Sequence, residues 1–454
     1  MRPRARVVAL GSLLGVCGAL GACMQGGSGM PVPRRFTGAD TGTVMDRAGE
    51  EYVKLVLALG THDADYVDAY YGPPEWRAAA EREKPPVGEI QARATALVTS
   101  LGDAPPPGAD SLERLRHGYL VKQLAALGAR ARMLRGERLS FDEESRALYD
   151  AVAPTNDAAH FQRILDQLER LLPGDGPLTE RYGAFRQRFV IAPERLDTVF
   201  AAAVTACRER TLRYVELPSR ESFVVEYVNG KPWSGYNWYQ GNYHSLIQVN
   251  TDLPIYIDRA VDLACHEGYP GHHVYNALLE QRLVRERGWV EFSVYPLFSP
   301  QSLIAEGSAN FGITMAFPGD ERVDFERGTL FPLAGLDADE AQTYYRVQDL
   351  VHELSYAGNE AARQYLDGDM DAAAAAAWLR RYALMSPGAA EQRVRFFDRY
   401  RSYVINYNLG QDFVRDFVAR EAGAQASTER RWAVFTGLLA SPRLPSDLQA
   451  STER

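Results

Sequence analysis

The chain has 454 residues, of which 46% are hydrophobic, 24% charged and 11% aromatic, and its formal net charge is −9. These proportions are ordinary for a globular protein and supply enough apolar residues for a sizeable core. The acidic balance argues against nucleic acid as a partner, because nucleic-acid-binding surfaces are basic.

Residues 1–22 predict a lipoprotein signal peptide. A basic start is followed by an apolar run from Val7 to Ala22, which is short for a membrane span and typical of a secretory segment. The run ends in "LGAC", which resembles the lipobox of bacterial lipoproteins and implies cleavage before Cys23 and acylation of that cysteine. An ordinary signal peptide with an unrelated cysteine at this position is the alternative.

Residues 23–43 are predicted to be the lipidated cysteine and a flexible tether rich in Gly, Ser, Pro and Thr. Acyl chains on Cys23 would anchor the protein to the bacterial cell envelope, on a periplasmic or cell-surface face, without a spanning helix. Cleavage removes three arginines and no acids, so the formal net charge changes from −9 to about −12. Cys207 and Cys265 then form either a disulfide, which an oxidising compartment permits, or two buried thiols.

Residues 44–454 are predicted to form one body with a helical first part, 44–218, and a second part, 219–454. In the first part, apolar residues recur at three- and four-residue spacing, which is typical of amphipathic helices. The predicted helices lie at residues 44–59, 89–102, 111–134, 159–172 and 195–215.

The second part begins with a different pattern. Residues 221–251 are rich in aromatic and β-branched side chains and predict two or three strands, with a hairpin signal at Asn229–Gly230. Helical patterns return at about residue 256 and include the alanine run Ala372–Ala377. The predicted fold class is therefore mainly α, with a small antiparallel β-sheet immediately before a histidine-rich segment.

That segment, "ACHEGYPGHHVY", contains three of the eight histidines of the chain. It resembles the zinc-peptidase motif H-E-x-x-H, in which two histidines one helical turn apart hold the metal and the glutamate is the general base. His266 and Glu267 match the first half of the motif. The next histidines, His272 and His273, follow His266 by six and seven positions instead of four.

The second histidine ligand is ambiguous in the sequence. A regular helix advances about 100° per residue, so His273 would return to the face of His266 about two turns away, a long reach for one ion. His272 would join His266 only if the helix were bulged or broken, and Pro270 and Gly271 are the residues that would distort it. His272 is slightly favoured, and His273 stays open.

A third ligand is expected from another element, because catalytic zinc takes three protein ligands and keeps one position open. The segment "LIAEGSANFGITMAFPGD" predicts a helix that carries Glu306, 33 residues after His273. Asn310 lies four positions later on the same helical face, where it could orient a ligand. Glu306 is therefore predicted to complete the metal site.

Together, "HEGYPGHH" and "EGSAN" resemble a bacterial family of zinc hydrolases marked by H-E-x-x-P-G-H-H and E-G-x-A. This family is a domain of unknown function grouped with the zincin-like metallopeptidases of the peptidase MA clan. The segments "YVDAYYGPPEW" and "YVINYNLGQDFV" are also similar to such sequences. Ser308 and Asn310 stand where many members have a tryptophan and an aromatic-rich tail, which leaves the substrate open. The resemblance implies a zincin-like helical fold, a Zn²⁺ cofactor and hydrolysis of peptide-like bonds.

The expected reaction assigns a role to each candidate residue. The histidines and Glu306 would hold a zinc ion that polarises water, and Glu267 would take the proton as general base. The oxyanion would be stabilised by zinc and one further donor. By resemblance, Tyr407 is the first choice of donor, ahead of Tyr403, Arg401 and Tyr269. The strand "SLIQVNT" is predicted to be the sheet edge along which the substrate aligns.

We therefore expect a lipid-anchored zinc metallopeptidase. A metal amidase acting on cell-wall peptides or another small amide is the first alternative, and a binding lipoprotein that keeps the metal without turnover is the second. The expected partners are a peptide or peptide-like substrate and a membrane reached through Cys23, with no nucleic acid. Endo or exo action, the metal used in the cell and the oligomeric state stay open.

Overall fold

The computed structural model describes residues 43–231 and 233–449, together with a two-residue strand at Val8–Ala9. The predicted lipidation at Cys23, and nearly all of the predicted signal peptide and tether, lie outside the described residues. Helices make up 66% of the structure and the sheets are small, which confirms the predicted mainly α fold class. Among the described residues, no helix is both long and apolar enough to cross a bilayer.

The helices predicted in the first part and the alanine-rich helix of the second part are all present. In chain order the α-helices are α1 (Val44–Gly60), α2 (Pro74–Glu83), α3 (Val87–Leu101), α4 (Ser111–Leu134), α5 (Phe141–Tyr149), α6 (Ala158–Leu171), α7 (Leu178–Gln187), α8 (Leu196–Leu212), α9 (Asp258–Leu263), α10 (His272–Leu279), α11 (Pro300–Ala316), α12 (Glu321–Phe325), α13 (Phe331–Ala334), α14 (Ala341–Glu353), α15 (Ala357–Asp367), α16 (Ala372–Tyr382), α17 (Pro387–Tyr400), α18 (Ile405–Ala422), α19 (Thr428–Leu439) and α20 (Pro445–Leu448). Shorter helical segments are π-helical at Ala264–Gly268, Glu280–Arg285 and Glu326–Leu330, and 3₁₀ at Pro193–Arg195, Val290–Ser293, Ala338–Glu340 and Arg401–Val404.

Capping residues explain where several helices begin. In a capping box, the N-cap side chain and the side chain three residues later each accept a hydrogen bond from the other residue's backbone N–H. Such boxes start α1, α4 and α5, with the pairs Thr43–Asp46, Asp110–Glu113 and Ser140–Glu143. Both residues of each capping pair lie at the helix start, so these helical segments could be predicted from the local sequence.

The main sheet is mixed and not antiparallel, so the sequence prediction is wrong in this respect. The strands are β1 (Val8–Ala9), β2 (Val67–Tyr70), β3 (Ser222–Val228), β4 (Gly235–Tyr239), β5 (His244–Asn250) and β6 (Val294–Pro296). In the main sheet β3, β5 and β4 lie side by side in that order, and β1 pairs with β3. β3 and β5 are parallel, whereas β4 and β5 are antiparallel.

The position of β5 changes two predictions. Asn229 and Gly230 lie in the loop from β3 to β4, which are not neighbours, so the hairpin signal there is wrong. The hairpin pair is β4–β5 instead. β5 contains the segment predicted to be a substrate-binding edge, but it is paired on both sides, so its backbone groups are already used.

A second, two-stranded sheet pairs β2 with β6 and was not predicted. Val67 lies opposite Pro296, and Ala69 lies opposite Tyr295. Two steps along β2 therefore face one step along β6, which makes Asp68 the extra residue of a β-bulge. The strand is four residues long and its partner lies far along the chain, so no local pattern indicated it.

The hydrophobic core draws on both parts of the chain. Its main cluster runs from Met45 in α1 to Leu448 in α20. α11 packs lengthwise against α18 inside it. Cys207 and Cys265 form a disulfide that ties α8 to the π-helical segment Ala264–Gly268, so they are not separate thiols. This segment is held in place where the histidine motif begins.

Candidate metal centre

The interruption between His266 and His272 is built as a tight reversal. α9 continues into the π-helical segment Ala264–Gly268, and α10 begins at His272. The N–H of Gly271 donates to the carbonyl of Cys265 (2.9 Å), which brings the start of α10 back against the π-helical turn. A Cβ on Gly271 would stand 1.9 Å from the carbonyl oxygen of His266, so only glycine fits there.

The reversal makes the two histidines face each other and a carboxylate. The Nε2 atoms of His266 and His272 are 3.1 Å apart. Glu306, in the second turn of α11, places its Oε2 atom 3.2 Å from His266 Nε2 and 3.7 Å from His272 Nε2. The three side chains are mostly buried but keep 13%, 12% and 9% exposure, so the cluster is reachable from solvent. The structure thus brings together three of the four predicted ligands.

The three facing atoms are spaced as ligands of one small cation. Ligands about 2.0–2.1 Å from a tetrahedral zinc ion lie roughly 3.3 Å from one another. Glu306 Oε2 is also buried without a hydrogen-bond partner among the described residues. An unsatisfied carboxylate oxygen that faces two imidazole nitrogens is unfavourable without a cation. His266, His272 and Glu306 therefore fit a zinc ion.

Asn310 determines which nitrogen of His266 carries the proton. Its amide N–H donates to the backbone carbonyl of Tyr407 (2.9 Å), and its Oδ1 atom lies 2.8 Å from His266 Nδ1. The amide oxygen must therefore accept the Nδ1–H, which leaves a lone pair on Nε2 aimed at the cluster. This geometry matches the orienting role predicted for Asn310.

Tyr403 holds the other oxygen of Glu306. Its buried hydroxyl donates to Glu306 Oε1 at 2.7 Å. The sequence named Tyr403 only as a lesser oxyanion donor. Its position in the segment "YVINYNLGQDFV" marked it as a candidate site residue. Its partner Glu306, however, is set by tertiary packing, which the sequence does not show.

His273 is not part of the cluster, and its inclusion among the ligands is wrong. It is fully buried, with Nε2 3.0 Å from Glu221 Oε2 and Nδ1 2.9 Å from Ser245 Oγ. Neighbouring residues on a helix point about 100° apart, so α10 cannot aim both His272 and His273 at one ion. Glu221 precedes β3 and Ser245 lies in β5, so His273 fastens the start of α10 to the sheet.

The Glu221 carboxylate accepts hydrogen bonds from His273 and from other donors around it. Burial raises the pKa of Glu221, but hydrogen bonds from His273, Tyr269 and Arg208 lower it to about 2. Burial lowers the pKa of His273, and Glu221 offsets this only in part. The imidazole is therefore neutral, donating to Glu221 and accepting from Ser245. Tyr269, a lesser oxyanion candidate, is engaged here and not at the cluster.

Glu267 lies beside the cluster without belonging to it. Its side chain is 4% exposed, and a Cβ on Gly235 of β4 would stand 2.9 Å from its Oε1 atom. Burial raises the pKa of Glu267 to about 7, while the charge of His272 lowers it and that of Glu306 raises it. A bound cation would lower this pKa. The carboxyl group is thus placed to exchange a proton next to the candidate ion.

Tyr407, the first candidate for the oxyanion donor, keeps its proton. Burial and the negative charge of Glu306 hold the pKa of Tyr407 well above its usual value. Its ring lies 5.8 Å from that of Tyr403, centroid to centroid. Arg401, another candidate donor, is paired instead with Glu144 of α5 at 2.6 Å. Tyr407 therefore stays a candidate to donate to an oxyanion.

No protein-family model matches the chain, and a search of curated proteins found no match. A crystal structure of a "putative lipoprotein" from Colwellia psychrerythraea is 14% identical, with a TM-score of 0.45 over 87% of this chain and 74% of that chain. A "putative lipoprotein of unknown function" from Shewanella oneidensis is 13% identical, with a TM-score of 0.42 over 82% of this chain and 74% of that chain. At TM-scores below 0.5, these likenesses say nothing about the function of this chain.

Proposed function

We propose that the chain is a zinc-dependent hydrolase of peptide bonds, anchored to the cell envelope through a lipid on Cys23. The observation that carries the proposal is the convergence of His266 Nε2, His272 Nε2 and Glu306 Oε2 within 3.1–3.7 Å of one another. Two histidines and one carboxylate are a ligand set of catalytic zinc, which keeps a fourth position for water or substrate. A structural zinc site would take four protein ligands.

The side chains around this position have separate tasks. His266, His272 and Glu306 would hold the ion, which supplies Lewis-acid activation of water and of the substrate carbonyl. Glu267 accepts the proton of the attacking water and passes it to the leaving nitrogen as the amide bond breaks. Its burial next to Gly235 keeps bulk water away from this proton transfer.

Tyr407 and β4 complete the proposed site. The protonated hydroxyl of Tyr407 donates to the oxyanion that forms on the substrate carbonyl. β4 takes the role that the sequence analysis gave to β5, because β4 pairs with a strand on one side only among the described residues. Gly235 of β4 lies against Glu267, so an extended peptide aligned along β4 would pass the general base.

The variant Glu267→Gln tests the proposal, with Glu286→Gln as a matched control. Glu286 is an exposed partner of Arg282 and lies outside the cluster. We expect Glu267→Gln to keep one zinc per chain while peptide hydrolysis falls about a hundred-fold or more. The control should keep both properties. Metal analysis and mass spectrometry of a peptide mixture, with and without chelator, measure them.

The other outcomes point to the other functions. Unchanged hydrolysis by Glu267→Gln would remove the general-base role. Cleavage of muropeptides alone would favour the cell-wall amidase. A zinc-loaded wild-type protein that binds peptides and cleaves neither peptides nor muropeptides would favour the binding lipoprotein.

A further inference from the structure

Arg393 of α17 carries a guanidinium group that has no partner among the described residues. Its Nε–H is buried without an acceptor, and no carboxylate of this part of the chain pairs with it. The residue as a whole stays partly exposed, so a ligand can reach the guanidinium. Two later arginines of the same region differ. Arg399 pairs with Asp65 at 2.5 Å, and Arg401 pairs with Glu144 at 2.6 Å. An unpaired, partly buried cation is unfavourable, so its presence favours a role in binding an anion.

Aromatic contacts join Arg393 to the proposed oxyanion donor. Its Cζ atom lies 4.7 Å from the ring centroid of Phe396 and 5.9 Å from that of Tyr407. The ring of Tyr407 lies 5.8 Å from that of Tyr403, whose hydroxyl donates to the proposed ligand Glu306 at 2.7 Å. The guanidinium therefore lies on the tyrosine side of the candidate metal centre, with two tyrosine rings between it and Glu306.

The start of β4 meets α17 at the residue before Arg393. The side-chain amide of Gln392 donates to the backbone carbonyl of Lys231 at 3.5 Å. Lys231 precedes Gly235 by four residues, and Gly235 lies against Glu267. Four residues span at most about 14 Å. An extended peptide that lies along β4 past Glu267 therefore reaches α17 beside Arg393 within about four residues.

The direction of this peptide decides which of its ends meets Arg393. A peptide that pairs antiparallel to β4 has its carboxyl end at the start of β4, whereas a parallel one has its amino end there. The guanidinium attracts a carboxylate and repels an ammonium group. Arg393 therefore favours the antiparallel arrangement, in which the carboxyl side of the cleaved bond runs towards α17.

We propose that Arg393 binds a carboxylate of the substrate on the carboxyl side of the cleaved bond, which a short peptide supplies at its free carboxyl terminus. This inference rests on the proposed peptide hydrolysis and names its substrate class. The guanidinium offers parallel N–H donors that match the two oxygens of a carboxylate. The site then releases short fragments from the carboxyl terminus. An acidic side chain of the substrate carries the same chemistry, and the experiment separates the two sources.

The test compares a free and an amidated carboxyl terminus on zinc-loaded protein. The substrates are Ala-Ala-Phe-Ala-Ala, its amide, and the amide of Ala-Ala-Phe-Ala-Glu. The variants are Arg393→Gln and, as matched control, Arg395→Gln, which changes an exposed arginine of the same helix. We expect amidation to lower kcat/KM of the wild type and of the control about ten- to a hundred-fold. Arg393→Gln should cleave the free acid about as poorly as the amide.

The glutamate-containing amide identifies the source of the carboxylate. Cleavage that recovers in the wild type but not in Arg393→Gln would support the Arg393 site with an acidic side chain as its ligand. Cleavage as poor as that of the alanine amide would support the free carboxyl terminus.

A second readout does not depend on turnover. Calorimetry on zinc-loaded Glu267→Gln should show tighter binding of the free acid than of its amide, and Arg393→Gln added to that protein should remove the difference. Arg393→Lys, which keeps the charge but not the paired donors, should keep part of it.

Three results would count against these proposals. An unchanged preference for the free acid in Arg393→Gln would overturn the inference. Equal losses on the acid and the amide would overturn it in favour of a role in holding Tyr407. Absence of cleavage of any peptide by the wild type would instead refute the proposed function itself, while the calorimetry would still decide whether Arg393 binds a carboxylate.

Discussion

Two adjacent histidines have different tasks in this chain. His272 faces His266 and Glu306, whereas His273 is buried between Glu221 and Ser245. Loss of a ligand lowers metal affinity, because one of three bonds to the ion is gone. Loss of His273 removes a hydrogen-bond donor from the buried Glu221 carboxylate, which lowers the stability of the fold.

We therefore expect His272→Ala to abolish tight zinc binding while the free energy of unfolding of the metal-free protein changes by less than about 1 kcal/mol. His273→Ala should lower that free energy by about 3–5 kcal/mol. Competition with a zinc chelator measures the first quantity and urea denaturation the second. The reverse pattern would show that His273 is the ligand.

The buried Glu221 carboxylate predicts a pH dependence. Its pKa in the fold is about 2, below the usual 4.5, so its ionised form stabilises the fold fully above about pH 4.5 and this contribution is lost as the pH falls towards 2. In metal-free protein, the wild type should exceed Glu221→Gln in free energy of unfolding near neutral pH. Denaturation at a series of pH values should show this difference shrinking below about pH 4.5. A difference independent of pH would contradict the assignment.

The residue types of the site could be predicted from the sequence, but the choice between the neighbouring histidines His272 and His273 could not. His266, Glu267 and Glu306 follow from a motif that ties residue type to metal chemistry. The choice of His272 over His273 depends on the reversal at Gly271, which arises from backbone contacts that no periodicity shows.

At the level of elements, α11 and α18 meet backbone to backbone. A Cβ on Gly307 would stand 2.3 Å from the carbonyl of Gly410, and one on Gly410 would stand 2.6 Å from the carbonyl oxygen of Leu303. Glu306 precedes Gly307, so this contact places the ligand helix against the helix that carries Tyr407. The glycine of "EGSAN" is thus a packing residue that positions Glu306, the proposed ligand.

The variant Gly307→Ala should lower the free energy of unfolding by about 1–3 kcal/mol, because the added methyl group forces the two helices apart. The displaced Glu306 should also bind zinc at least about ten-fold more weakly. Gly437→Ala is the control, since it lies in α19 with no atom within 4 Å of an added Cβ. The control should be stabilised by about 0.5–1 kcal/mol. Unaltered zinc affinity in Gly307→Ala would contradict the positioning role.

The sequence predicts elements where their signals are local. Helices such as α4, predicted at 111–134 and found at Ser111–Leu134, are marked by apolar periodicity and capping residues. The order of β3, β5 and β4, and the pairing of β2 with β6, depend on partners distant in the chain. Because of these pairings, β4 and not β5 is the outer strand. The prediction that β5 is the sheet edge along which the substrate aligns was therefore wrong.

For the whole molecule, the Cys207–Cys265 disulfide fits the predicted export to an oxidising compartment. The lipid anchor stays a prediction of the sequence. We expect the mature protein purified from membranes to begin at Cys23 and to carry acyl chains on that residue. Mass spectrometry of the amino-terminal peptide measures both. An unmodified amino terminus created by an ordinary signal peptidase would contradict the anchor and leave the metal site unaffected.

The central claim is that His266, His272 and Glu306 bind one zinc ion. Anomalous diffraction at the zinc absorption edge, from crystals of the zinc-loaded protein, tests it most directly. The account predicts a single strong peak about 2.0–2.2 Å from the Nε2 atoms of both histidines and from Oε2 of Glu306. No peak at these atoms in excess zinc, or a peak coordinated by His273, would contradict it.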